Sequence, residues 1–480
     1  MFNQKSKVTR SDYERWRAGQ DEAAVRIAAD PDRLAFHVEP ELGWLNDPNG
    51  LVQVGDTYYI YHQYDPFDAA HGGPVLWNHL TTKDFVTYEN RGPVLFPDSD
   101  MDSSGAYSGS AFVRDGKIHY FYTGNVKHFD RDDYDYVLTG RDQNQIHMVT
   151  DNADELGKKQ LAVGPLDYPD DIGTHVRDPK ILEHDGIYYM VLGARTKDDR
   201  GCVLVFTSCD LESWKYATRI ELGEQFGFMW ECPDLFELDG ELVLVCCPQG
   251  VPAEGWRYHN PHQCVWFRIE ADWDAPSFKI VGQGVPPMVD AGFDFYAPQS
   301  FEDVAGRRLM IGWVGCPDAT AENPTMARGW QCALTVPRQL SMRDGRLCQL
   351  PARELEKLRG DCVRIHAGEI VAEPDRLFDA LVSCEGAKTV ELEIREGVFV
   401  RYADGMLMLD MGDEGYGRDR RSVEVGELRD LRVLSDTTLV EIFANGGEVA
   451  LTTRTYSPAA PAMGLHADGA ATMEFYRLAK

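Results

Sequence analysis

Three short stretches place a carboxylate among residues able to tune it: Trp44-Leu45-Asn46-Asp47-Pro48-Asn49-Gly50, Arg177-Asp178-Pro179 and Trp230-Glu231-Cys232-Pro233. Asn, Asp, Pro and Gly are all turn formers, so the first stretch taken alone reads as a tight loop. In the second, Asp178 follows a permanent cation, which predicts a lowered pKa and an ionised side chain. In the third, Glu231 sits between an indole and a small apolar thiol, which predicts a raised pKa and a protonated side chain. One carboxylate held charged beside another held protonated is the arrangement that glycosidic bond cleavage requires.

These residues lie up to 184 positions apart, so the fold must bring them together. Five segments share one pattern of strand, glycine turn and aromatic-rich strand: LVQVGDTYYIYHQY, AFVRDGKIHYFYTG, ILEHDGIYYMVLGAR, LFELDGELVLVCCPQG and FEDVAGRRLMIGWVG. Their turn glycines, Gly55, Gly116, Gly186, Gly240 and Gly306, are spaced by 61, 70, 54 and 66 residues. Asp-Gly occupies three of the five turns, a strong hairpin signal. Five such units predict five propeller blades. Stepping back eight residues from each glycine reaches Asp47, Ser108, Asp178 and Pro298, and nine from Gly240 reaches Glu231. Equivalent strand starts in a propeller converge at one end of the central channel, so the three carboxylates are expected to meet there. Acidic residues before strands also form ordinary turns, and that reading would hold for any one of them alone.

Helical periodicity is confined to Ser11 to Ala29, with Ser11 and Glu14 as an expected capping box, and to Pro351 to Leu358. After Arg338 the pattern changes, and Cys362 to Lys480 reads as alternating strands such as TVELEI, VFVRYA and TTLVEIFA, enough for a two-sheet sandwich. The expected organisation is all-β: a helical extension over 1–36, a five-bladed β-propeller over 37–350, a linker helix over 351–361 and a C-terminal β-sandwich over 362–480.

The net charge of −30 is spread along the chain, which argues against nucleic acid and anionic membranes as partners. No run of eighteen apolar residues occurs, and the N-terminus has no apolar segment of the kind that marks a secretory signal. Eleven cysteines without a C-x-x-C pair read as reduced thiols, so a cytoplasmic location is expected. No H-E-x-x-H, paired C-x-x-C or phosphate-loop motif is present, so neither metal nor nucleotide cofactor is expected.

From about His37 to the C-terminus the chain resembles glycoside hydrolase family 32, the invertases, inulinases and sucrose-6-phosphate hydrolases. WLNDPNG, RDP and WEC in this order carry the resemblance, supported by Tyr107-Ser108-Gly109-Ser110, Tyr122-Thr123-Gly124-Asn125, Asp294-Phe295-Tyr296-Ala297-Pro298-Gln299 and Leu334-Thr335-Val336-Pro337-Arg338. The family's propeller-plus-sandwich architecture agrees with the hairpin count. The resemblance implies a retaining hydrolase of β-fructofuranosyl bonds, with Asp47 as nucleophile, Glu231 as acid/base and Asp178 as transition-state stabiliser. It further implies Asn46, Gln63, Ser108 and Arg177 as hydroxyl binders, with Tyr107 and Trp313 as apolar walls. The implied substrates are sucrose, sucrose 6-phosphate and short fructo-oligosaccharides; the oligomeric state stays open. Departures from the commoner family pattern, Tyr61-His62-Gln63, Trp77-Asn78-His79 and His71-Gly72, fall where the leaving group would sit. His71-Gly72 is more like the intracellular bacterial branch that takes phosphorylated sucrose. Fructosyl transfer from the same intermediate and a non-catalytic propeller lectin are the competing readings.

Overall fold

The computed structural model describes residues 7–282 and 284–479; the first six residues of the expected helical extension lie outside them. Among the described residues the strands form seven sheets, five from the first part of the chain and two from the last. Each of the first five is built outward from one inner strand: Gly43–Val54, Ala106–Arg114, Ile172–His184, Met229–Leu238 and Tyr296–Glu302. These inner strands lie against one another in sequence order, and the fifth returns to the first. The short strand Trp330–Gln331 closes the circuit by pairing in parallel with Gly43 and Trp44. The hairpin turns fall at the expected glycines, all at positive φ, which residues with a Cβ rarely adopt.

Every inner strand carries a one-residue bulge at the same level. The ladder steps three residues, from Leu45 to Pro48, while its partner steps two, from Tyr64 to His62. The same three-against-two step recurs from Ala106 to Gly109, Arg177 to Lys180, Glu231 to Asp234 and Tyr296 to Gln299. A bulge bends its strand and re-aims the side chains that flank it. In the last three sheets the extra backbone is a left-handed residue followed by proline: Asp178-Pro179, Cys232-Pro233 and Ala297-Pro298. Proline has no N–H to contribute to a ladder, and a bulge is where a sheet tolerates that loss.

Two expected helices differ in detail. The first is broken into Arg10–Arg17 and Asp21–Ala28, with Gly19 in the break. Its capping box uses Thr9 and Asp12 rather than Ser11 and Glu14, because Thr9 and Asp12 exchange bonds between side chain and backbone at both ends. The segment after Pro351 is a 3₁₀ helix, Arg353–Leu358, whose buried Leu355 and Leu358 sit three apart and so share one face at that pitch.

The remaining chain forms two six-stranded sheets with one apolar core, including Phe378, Leu392, Val400, Leu431 and Phe475. Buried charges join them to the first five sheets. Arg338, fully buried, donates to Glu441 and Asp290, and His37 bridges Asp436 (2.7 Å) and Glu441 (2.9 Å). Burial would lower the His37 pKa, but the two carboxylates outweigh it and raise it to about 9. A raised histidine pKa stabilises the fold fully below the unfolded value near 6.5, and that contribution is lost as pH rises through about 9. The melting temperature of the wild type is therefore expected to drop across this window by the equivalent of about 3 kcal/mol. His37→Gln should start lower and lack most of that slope; parallel melting curves against pH would contradict the assignment.

Candidate active site

The bulges deliver the sequence-predicted residues to one cavity of about 540 Å³. Asp47, Asp178 and Glu231 all line it, with Asn46, Gln63, Tyr107, Arg177 and Trp313. Ser108 is the one predicted residue that stands behind the wall. Its hydroxyl donates to Asp47 Oδ2 at 2.5 Å and accepts from Gln63 Nε2, also at 2.5 Å. Asn46 Nδ2 donates to Asp47 Oδ1 at 3.2 Å and to Gln63 Oε1 at 2.9 Å, so both oxygens of Asp47 are oriented. Trp313 is buried and meets Trp44 edge-on at 5.6 Å, so it is both a wall of the cavity and a packed aromatic.

Bulge register, rather than equal distance from the turn glycine, defines which residues are equivalent. Asp47 and Ser108 occupy the same bulge position in the first two sheets and are hydrogen-bonded to each other. Asp178 is equivalent to Cys232, whose backbone N–H donates to Asp178 Oδ2 at 2.9 Å. The Cys232 thiol lies 3.6 Å from Asp178 Oδ2 and 3.8 Å from Asp47 Oδ2, which ties the two carboxylates to one sulfur. Arg177, Glu231 and Tyr296 share the position just ahead of the bulge and form a bonded row. The Arg177 guanidinium donates twice to Glu231 Oε1, at 2.9 Å and 2.6 Å, and the Tyr296 hydroxyl donates to Oε2 at 2.7 Å. The count from Gly186 and Gly240 misaligned these residues because the third and fourth hairpins are one residue shorter between bulge and turn.

This geometry reverses both expectations about ionisation. Arg177 spends its charge on Glu231, across the gap between sheets, and not chiefly on its chain neighbour. Burial would raise the Glu231 carboxyl, but Arg177, the Tyr296 hydroxyl and His262 outweigh it and hold it below the ordinary glutamate range. Asp178 is raised to about 7, first by burial; Arg177 opposes the shift, and the charges of Glu231 and Asp47 add to it. Asp47 is raised to about 6 by burial and then by Glu231, with Ser108 pulling the other way. Three carboxylates this close titrate as a set, and its first proton is shared among them.

Sequence reasoning missed several residues. Tyr296 lay in a recognised stretch without a role; its signal is the proline two residues later, as after Arg177 and Glu231. Gln249, which donates to Glu231 Oε2 at 2.7 Å, comes from a second strand and carries no motif. His71 stacks on Trp44 at 5.2 Å in the cavity wall, and neither Trp44 nor Arg141 had been singled out as lining it. Among the described residues no group of three or more His, Cys, Asp or Glu is placed to hold a metal ion. No described helix is long and apolar enough to cross a membrane.

Residues 37–351 match the Glycosyl hydrolases family 32 N-terminal domain, and residues 412–478 match the Glycosyl hydrolases family 32 C terminal. The chain is 35% identical to the sucrose-6-phosphate hydrolase of Bacillus subtilis over 442 residues, 89% of each chain. It is 34% identical to the raffinose invertase of Escherichia coli over 446 residues, covering 88% of this chain and 89% of that one. The solved structure of sucrose-6-phosphate hydrolase from Lactobacillus gasseri superposes with a TM-score of 0.87 at 27% identity, covering 99% of this chain and 98% of that one.

Two conservative variants separate the contributions of Asp47 and Glu231 to the pH profile. A hydrogen bond to the charged form lowers a carboxyl pKa, so removing it raises the pKa. Ser108→Ala should move the acidic limb of kcat/KM upward, because Asp47 then ionises later. Tyr296→Phe should leave that limb in place and raise only the share of the set's proton that Glu231 holds, because Asp47 keeps its own hydrogen bonds. The Ser108→Ala shift is expected to be about half a unit to one unit. Movement of the same limb in both variants would contradict the division of roles.

Proposed function

The chain belongs to glycoside hydrolase family 32, and we propose that it is a retaining β-fructofuranosidase hydrolysing sucrose or sucrose 6-phosphate. The observation that carries this reading is the pairing across the cavity. Asp47 has both oxygens oriented by Asn46, Gln63 and Ser108, while Glu231 is fixed from the other side by Arg177, Gln249 and Tyr296. Asp47 attacks C2 of the fructosyl unit as its bond to the leaving-group oxygen breaks, and Glu231 delivers a proton to that oxygen. Asp178, oriented by the Cys232 N–H, stabilises the oxocarbenium-like transition state and holds fructosyl hydroxyls. Water then gives its proton to the ionised Glu231 and cleaves the fructosyl ester, releasing fructose with its β configuration. The productive state needs Glu231 protonated with Asp47 and Asp178 charged. Between Asp47 near 6 and Asp178 near 7 the set carries one proton, and the productive state is the arrangement with that proton on Glu231.

Five sheets with touching inner strands and a parallel closing strand support a five-bladed propeller over about 37–350. The two six-stranded sheets that begin at Arg359 support a sandwich over about 362–480. Eleven free thiols, nine of them at least partly buried, support a reducing cytoplasm as the site of action.

Asp47→Asn should keep the fold and lose turnover by about 10⁴-fold or more, because an amide cannot form the ester. NMR of the first-formed product should show β-fructofuranose. A tenth of wild-type kcat in Asp47→Asn, or initial release of the α anomer, would exclude the retaining assignment.

A further inference from the structure

The helices Arg10–Arg17 and Asp21–Ala28 precede the family match, which begins at residue 37, yet both reach a loop of the catalytic cavity. Trp16 meets the ring of Phe67 edge-on at 4.8 Å. Tyr13 backs Trp16 at 5.9 Å and touches Phe96 at 6.0 Å. Phe67 lies near the start of the loop 66–73, which brings Ala70 and His71 into the cavity wall. Asp65, fully buried, closes that loop at both ends: Oδ1 accepts from the Phe67 N–H at 3.1 Å and Oδ2 from the Gly73 N–H at 2.7 Å. A second route runs through the strand that closes the ring of sheets. Ile27 of the second helix packs in one apolar cluster with Leu42 and Trp330. The next residue, Gln331, donates through Nε2 to the Ala69 carbonyl at 2.5 Å, and its Oε1 is fixed by Asn323 Nδ2 at 2.8 Å.

His71 is the residue that needs this support. Its backbone is left-handed, with φ at 61°, a conformation that a residue with a Cβ keeps only where its surroundings impose it. Its ring stacks on Trp44 at 5.2 Å, but its Nδ1 has no hydrogen-bond partner and stands 3.7 Å from Asp65 Oδ2. The imidazole is therefore held by stacking and by where the loop backbone puts it. Asp178, 7% exposed, lies on the floor of the cavity, whereas Ala70, Asp318 and Ala319 are exposed at its mouth. The His71 side chain, 34% exposed, stands between these levels. A fructosyl unit in reach of Asp47 and Asp178 fills the floor, so the departing sugar lies at the level of His71.

We propose that the two N-terminal helices brace the loop 66–73, which makes Trp16 and Gln331 positioning residues for His71 beside the departing sugar. The inference rests on the β-fructofuranosidase reading and adds to it a region outside the five catalytic sheets. Neither Trp16 nor Gln331 lines the cavity, so each acts only through the loop. The bonds that orient Asp47 and Glu231 come from other residues, so the chemical step is independent of the brace.

Trp16→Ala is expected to raise KM for sucrose about two- to tenfold, the range that one aromatic pair controls, with kcat within about twofold of wild type. Trp16→Phe, which keeps a ring in place, should recover most of the loss. Gln331→Met, which leaves the helices intact, should raise KM in the same way. His71→Ala should reproduce the effect, and Trp16→Ala combined with it should be no worse than His71→Ala alone, because both remove one contact. Inhibition by fructose, which occupies only the floor, should be unchanged throughout. A lowered melting temperature with unchanged KM in Trp16→Ala and Gln331→Met overturns the brace and leaves the hydrolase reading intact. Additive losses in the double variant, or weakened inhibition by fructose, overturn it equally. Should Trp16→Ala fail to fold, Gln331→Met alone and combined with His71→Ala decides by the same criteria. A wild type inactive on sucrose removes the hydrolase reading itself, and this inference with it.

Discussion

One extra backbone residue in each of five inner strands is the constraint on which the site depends. A regular strand alternates its side chains between two faces, so consecutive residues such as Arg177 and Asp178 would point to opposite sides of a sheet. The bulge lets both reach the cavity: Asp178 lines it from the bulge while Arg177 spans to Glu231. Because the bulges sit at one level, residues at matching positions become neighbours across adjacent sheets. Asp47 meets Ser108, Asp178 meets Cys232, and Arg177, Glu231 and Tyr296 form a row. The left-handed conformations of Asp178 and Cys232 are the local cost of this arrangement, and both lie where strain is commonly stored, beside reacting groups.

Electrostatics follow from that geometry rather than from chain neighbours. Burying three carboxylates together raises two of them, and Arg177, bonded to the third, decides which stays charged. Arg177 chooses Glu231 because the two occupy equivalent positions on facing strands, and a bidentate approach to one oxygen is available there. The proton needed for leaving-group departure therefore resides in the set, with Asp47 and Asp178 as its higher-affinity holders.

The two C-terminal sheets hold the ring through buried ion pairs instead of a purely apolar seam. Arg338 and His37 reach Glu441 together, and Arg418 makes two bonds to Asp294 on the segment leading to the fifth inner strand. Such pairs fix relative orientation, since a small rotation would leave a buried charge unmatched. The residues that line the cavity all come from the strands and loops of the first five sheets, between Trp44 and Ala319.

Much of this protein was legible in the sequence because strand-and-turn chemistry is local. Asp-Gly turns and alternating aromatic strands fixed the hairpins and their number, and the three carboxylates stood out by the residues beside them. The C-terminal strands were readable for the same reason, from alternation that survives as buried positions between less buried ones over most of Thr389–Arg395. Even so, local pattern placed the first helix two residues off and unbroken, because Thr9 and Gly19 compete with an otherwise continuous helical face. Ionisation was not legible: the cation next to Asp178 in the chain serves Glu231 in space, and burial raises a carboxyl that its neighbour alone would lower. The chain itself determined which residues could do chemistry and which hairpins carry them. Tertiary structure alone decided their partners and charges, because both depend on distances across sheets that no spacing along the chain encodes.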